Sequence, residues 1–161
     1  MRQIWILMMA VLMVGCTTTP APTPAEDLWT QQDTTQTTAE EELTAMKMNV
    51  QIGDKTFTAT LEDNQAVEEL VEMMEAGPVT LQLDDYGGFE KVGPLGRSLT
   101  TSDSQTTTTA GDIVLYTGDN IVMFYGSNSW SYTRIGKIDD LAGWADALGR
   151  GSVTAVLTIA G

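Results

Sequence analysis

From Met46 the chain alternates. Met46-Lys47-Met48-Asn49-Val50-Gln51-Ile52 puts an apolar side chain at every second position, the period of a strand with one buried face. Gly53-Asp54 follows, and Phe57, Ala59 and Leu61 resume the alternation. Two alternating runs around a Gly-Asp pair predict a tight hairpin, because glycine accepts the positive φ such a turn demands. The period then changes. Val67, Leu70, Val71 and Met74 fall at i, i+3, i+4 and i+7, which predicts a helix with one apolar side. Asp63 or Asn64 is its N-cap and Gly77-Pro78 its stop. Glu68, Glu69, Glu72 and Glu75 lie at the spacing of its solvated side. Val79 to Leu83 alternates again and leads into DDYGGFEKVGPLG, residues 84–96, which reads as a loop. A polar, β-prone connection, TTSDSQTTTT, comes next. Ile113–Tyr116 and Ile121–Tyr125 are apolar on both faces, which predicts central strands. A second loop, Gly126 to Ser129, leads into a strand from Trp130 to Gly136. Leu141, Trp144, Ala145 and Leu148 mark a short helix, and Val153 to Ile159 a last alternating strand. Short strands, tight turns and two helices predict a mainly β domain over 46–161, a closed or nearly closed β-barrel capped by the helices.

The first 45 residues have no such pattern. Ile4 to Val14 is a continuous apolar run of 11 residues behind Met1-Arg2. That is the length of a signal-peptide core and short of the ~20 residues a spanning helix needs. The run ends at Met13-Val14-Gly15-Cys16, which resembles the lipobox of prokaryotic lipoproteins, with Met13 where leucine is usual. The resemblance implies that residues 1–15 are removed and that Cys16 carries a diacylglycerol and becomes the new N-terminus. Residues 16–45 are rich in Thr, Pro, Gln and acids, with few apolar groups to offset the entropy of ordering, and read as a flexible linker. The expected location is therefore the extracytoplasmic side of a cell membrane, held by lipid.

Composition narrows the chemistry. The net charge is −14, so the chain repels nucleic acid, whose binding rests on Lys and Arg. One cysteine permits no internal disulfide, and one cysteine without histidine builds no thiolate zinc site. The missing histidine also removes every Ser-His-Asp or Cys-His arrangement.

The order of the hairpin, the LEDNQAVEEL helix, DYGGFEKVG, GDIVLY and FYGSNSWSYTRIGKI resembles the bacterial and archaeal cyclophilin-like domain family across essentially all of 46–161. The resemblance implies a cyclophilin-type barrel of about eight strands with two short helices. The family is defined by fold and implies no reaction. Cyclophilin itself is a prolyl isomerase with an arginine in an F-H-R stretch. No such stretch exists here: Arg97, Arg134 and Arg150 are the arginines beyond the leader, and none lies in a Phe-x-Arg context.

Two stretches carry candidate ligand contacts. In the first, Tyr86, Glu90 and Lys91 form a possible rim; Asp84, Asp85 and Glu90 also offer oxygens, but at a spacing that fits no calcium loop. In the second, Trp130, Tyr132 and Arg134 combine aromatic surface with a group able to pair with a carboxylate. The sharper expectation is that both stretches meet at one barrel mouth and form one pocket. The function expected is binding of a small molecule, peptide or protein without catalysis, cofactor or metal. The alternative is a divergent prolyl isomerase or folding helper at the cell envelope.

Overall fold

The computed structural model describes residues 45–161. The leader, Cys16 and nearly all of the linker lie outside the described residues. Nine strands and two helices follow one another: β1 (Lys47–Ile52), β2 (Lys55–Leu61), α1 (Gln65–Ala76), β3 (Val79–Tyr86), β4 (Glu90–Pro94), β5 (Ser104–Thr107), β6 (Asp112–Tyr116), β7 (Asn120–Phe124), β8 (Ser129–Ile138), α2 (Trp144–Leu148) and β9 (Val153–Ile159).

The β1–β2 hairpin turns at Gly53-Asp54 with Ile52 opposite Lys55. Its buried positions, Met48, Val50, Ile52, Phe57, Ala59 and Leu61, are the alternating apolar set. The sheet continues in the order β2-β1-β9-β3-β4-β7-β6-β8 and closes when β2 pairs β8, Ala59 opposite Ile138 and Leu61 opposite Gly136. Every pairing is antiparallel. The result is a closed eight-stranded barrel, with β5 paired antiparallel to the first residues of β8, Ser129 to Tyr132. Closure removes the edges an open sheet would expose.

Met48, Val50, Leu81, Leu83, Ile113, Leu115, Ile121, Met123, Ala155 and Leu157 fill the interior. The walls come close enough to require glycine at two points. A Cβ on Gly93 would lie 2.1 Å from the Gln82 carbonyl oxygen, and one on Gly136 would lie 2.4 Å from that of Thr60.

Asn64 is the N-cap of α1: its side chain accepts from Val67 N–H at 3.1 Å and donates to the Arg134 carbonyl at 2.8 Å. Such a cap contributes about 1 kcal/mol. Ala66, Val67, Leu70, Val71 and Met74 face the core. Glu69, read as a solvated residue, instead receives Thr100 N–H at 2.8 Å and the Thr100 hydroxyl at 2.6 Å, which ties down the strap after β4. The second helix is shorter than its apolar spacing suggests: Trp144 and Leu148 are buried, whereas Leu141 and Ala145 are exposed. Trp144 stands edge-on to Phe57 at 5.0 Å and donates its indole N–H to the Phe124 carbonyl at 2.8 Å.

The stretch 84–96 differs most from its sequence reading. It is mostly strand. Asp84-Asp85-Tyr86 finishes β3 and Glu90 to Pro94 forms β4, with Tyr86 opposite Glu90. The turn is Gly87-Gly88-Phe89, where both glycines have positive φ, 63° and 76°. Dense charges and glycines hid a strand because its alternation pairs Glu90 and Val92 on one face with Lys91 and Gly93 on the other.

Candidate functional site

The pleat of β4, β6, β7 and β8 sorts their side chains between two environments. Ile113, Leu115, Ile121 and Met123 point into the barrel. Val114, Val122, Phe124 and Tyr132, at the intervening positions, form a second apolar cluster on the outer wall, with Phe89 and Val92 packed against it. The Tyr132 ring meets Phe124 at 5.8 Å and Tyr116 at 6.0 Å, both edge-on.

Above this cluster lies a cavity of about 480 Å³, lined by Tyr86, Glu90, Val92, Tyr116, Val122, Asn128, Trp130 and Tyr132. Val92 and Val122 form its floor. Trp130 and Tyr86 stand at its rim, 57% and 63% exposed despite their size. Asn128 donates to the Tyr132 hydroxyl at 2.9 Å, which holds the loop before β8 against the wall.

Glu90 is the anomaly of the site. Its cross-strand partners are Tyr86 on β3 and Phe124 on β7, so the carboxyl is set between two aromatic residues. It is only 6% exposed, and its Oε2 is buried without a hydrogen-bond partner among the described residues. Burial pushes its pKa up to about 7. A buried acceptor without a donor is costly and is retained where something else satisfies it. Burial, with the Glu90 carboxylate nearby, also raises the Tyr132 phenol.

Lys91 faces the other way. It is fully buried, inward-facing, opposite Asp85 on β3 and Met123 on β7. Its ammonium donates to Asp85 Oδ1 at 2.8 Å and to the Gly151 carbonyl at 2.6 Å, with the Tyr125 ring centroid 5.5 Å away. The Tyr125 hydroxyl donates to the same Asp85 oxygen. Hydrogen bonds from Lys91 and Tyr125 lower the Asp85 pKa, and burial together with the Asp85 bond pushes the Tyr125 phenol up to about 12. The three side chains form a polar plug in the barrel wall between β3, β4 and β7.

Of the six ligand-contact residues expected from sequence, four surround one cavity: Tyr86, Glu90, Trp130 and Tyr132. Lys91 and Arg134 are not among its lining residues. Lys91 is excluded by the pleat. Arg134 shares the outer face with Tyr132, but its Nε donates to Glu62 at 2.9 Å and its guanidinium lies 3.8 Å from Asp112. The two stretches do meet, though on the barrel's outer wall and not at a mouth. Asp84, Asp85 and Glu90 do not converge: Asp84 receives the Ser152 hydroxyl at 2.5 Å, Asp85 belongs to the plug and Glu90 to the cavity. Among the described residues no group of three side chains is placed to hold a metal. Sequence reasoning missed Tyr116 and the valine floor. Their signal was present in the two runs apolar on both faces, whose second face is this wall.

An antiparallel barrel closed by these eight strands, with its outer pocket, can be set beside known proteins. No curated protein matches the chain. The solution structure of the hypothetical protein AF2241 from Archaeoglobus fulgidus shares the fold, with a TM-score of 0.50 and 16% identity over 75% of this chain and 99% of that one. The model of the cyclophilin-like family matches residues 50–160, from the middle of β1 to the residue after β9, and the chain therefore belongs to the cyclophilin-like family.

Proposed function

We propose that this is a lipid-anchored, extracytoplasmic cyclophilin-like protein that binds a ligand or partner in its outer-wall pocket without catalysing a reaction. The observation that carries the reading is the pocket itself: an apolar floor, two exposed aromatic rings and one buried carboxylate oxygen without a donor among the described residues. Ligand sites combine apolar walls with a few convergent polar groups in this way. The engagement of Arg134 with Glu62, away from the cavity, supports binding over prolyl isomerisation. A thermal-shift screen of sugars, peptides, flavins and divalent ions tests the reading. At least one class raises the Tm of the chain by several degrees, and Trp130→Ala abolishes the shift. Absence of any shift contradicts a binding role. Prolyl-isomerase turnover abolished by one Arg→Ala change contradicts the non-catalytic part.

The anchor rests on the Cys16 sequence context. Two acyl chains give stable membrane attachment at ~0.8 kcal/mol per buried CH₂. In cells, the chain stays with the membrane fraction through detergent-free washing and Cys16→Ser is released. A Cys16→Ser chain that remains bound overturns the anchor.

A further inference from the structure

We propose that the outer-wall pocket takes a protonated amine carried on an apolar or aromatic body, with the ammonium paired to the Glu90 carboxylate and the body packed against Trp130 and Tyr86. The inference rests on the binding reading above and gives it a ligand class.

Three observations converge. First, the site lacks its own cation. Glu90 is the sole charged residue among those lining the cavity, and Oε2 is buried without a donor among the described residues. The two nearest candidates in sequence are committed elsewhere, Lys91 to Asp85 and the Gly151 carbonyl, Arg134 to Glu62. Second, the walls suit a cation. Tyr86, Tyr116, Trp130 and Tyr132 supply aromatic rings, whose faces attract an ammonium and whose surface covers its hydrocarbon. Third, the surroundings favour a cation and disfavour an anion. The chain carries a net charge of −14, so positive ligands are drawn in and anionic ones repelled. A neutral ligand leaves the carboxylate either protonated or unpaired. An ammonium pairs its charge through a charge-assisted hydrogen bond.

The pocket size allows this. About 480 Å³ lies within the range of sites for small molecules. The reading also fixes how binding responds to pH. A proton and an ammonium compete for the same carboxylate. The other titratable groups facing Glu90 are phenols: Tyr86 from β3, Tyr116 from β6 and Tyr132 from β8, with Tyr125 beyond on the inner face. Lys91 and Asp85 lie on the opposite face of the sheet, paired with each other. Glu90 alone then governs the pH response.

The experiment is a chemical-shift titration of the full chain with three probes of one shape: 2-phenylethylamine, 2-phenylethanol and phenylacetate. At pH 8 the amine binds at least tenfold more tightly than the alcohol, and the acid binds most weakly. Glu90→Gln removes that preference for the amine. In the unaltered chain, amine affinity falls roughly thirtyfold from pH 8 to pH 5.5, as expected for competition with a proton on a group titrating near 7. That arm needs no variant, so it stands even if Glu90→Gln folds poorly. Equal binding of amine and alcohol, or amine binding that strengthens as the pH falls, overturns the amine class while the pocket stands. If none of the three probes moves the signals of Glu90, Tyr86 or Trp130, the binding reading falls, and this inference with it.

Discussion

Glu90→Gln makes the domain more stable than the natural chain at pH 8, by roughly 3 kcal/mol, and leaves the two nearly equal at pH 4. The cause is the burial of a carboxyl with no donor on Oε2 among the described residues. In the folded chain Glu90 keeps its proton to about pH 7; the ordinary value is 4.5. Between those values the folded state holds more protons than the unfolded one. Stability therefore falls as the pH rises from about 4.5 to about 7, and the loss is complete above that window. Glutamine is neutral throughout, so the variant lacks the decline. Asp85, Asp139 and Glu69 act in the opposite sense. Hydrogen bonds lower their pKa values, so their contribution is present above the ordinary carboxylate range and is lost on acidification. They are common to both chains and cancel in the difference. Denaturant melts of the two proteins at a series of pH values measure it. A difference that stays flat from pH 4 to pH 8 contradicts the assignment of Glu90 as a buried, unpaired acid.

Lys91→Ala destabilises the domain by roughly 3–5 kcal/mol, and Lys91→Met recovers most of that loss. The side chain is fully buried, so alanine leaves a cavity where the four-carbon stem had packed. It also strips Asp85 and the Gly151 carbonyl of their shared donor. Methionine refills the volume. Asp85 keeps the Tyr125 hydroxyl as a donor and has partial access to water, so losing the ammonium alone is the smaller part. Replacing a buried ion pair by packed apolar atoms is often close to neutral, whereas stranding one partner is not. Asp85→Ala, which strands the buried ammonium, is accordingly more harmful than Lys91→Met. Equilibrium unfolding of the three variants decides this. Equal losses for Lys91→Ala and Lys91→Met contradict the packing argument and assign the effect to charge.

The barrel was largely legible because its strands obey period two wherever one face meets water. Met48, Val50 and Ile52, then Phe57, Ala59 and Leu61, point inward as their alternation predicts. The reading failed where polar side chains entered the interior. Lys91 is buried and inward-facing, paired with a partly exposed Asp85, and no pattern of apolar residues marks such an ion pair. With Gly93 standing where the walls approach most closely, β4 carries few apolar signals and passed for a loop. β5 was legible only as a β-prone connection: Ser104–Thr107 is all polar, with no alternation to bound a strand, and pairs with Ser129–Tyr132.

The site was half legible. Tyr86, Glu90, Trp130 and Tyr132 could be named as a group because aromatic and charged residues among glycines and serines stand out. Their partition from Lys91 and Arg134 could not, because it depends on the pleat of a strand that had not been recognised and on Glu62, far away in sequence. The apolar run Ile121–Tyr125 also has two destinations. Ile121 and Met123 join the interior while Val122 and Phe124 join the outer cluster. Periodicity shows that both faces are covered. Only the closed barrel shows that one face is the core and the other the floor of a pocket.

The central claim is that this outer-wall pocket is the working surface of the protein. Chemical-shift mapping of a fragment library on the full chain tests it most directly. The expected result is that fragments that bind move the Trp130 indole together with Tyr86, Glu90, Tyr116 and Tyr132. Fragments that bind while leaving those signals in place, and perturb instead the groove lined by Lys55, Phe57, Asp139 and Asp140, contradict it.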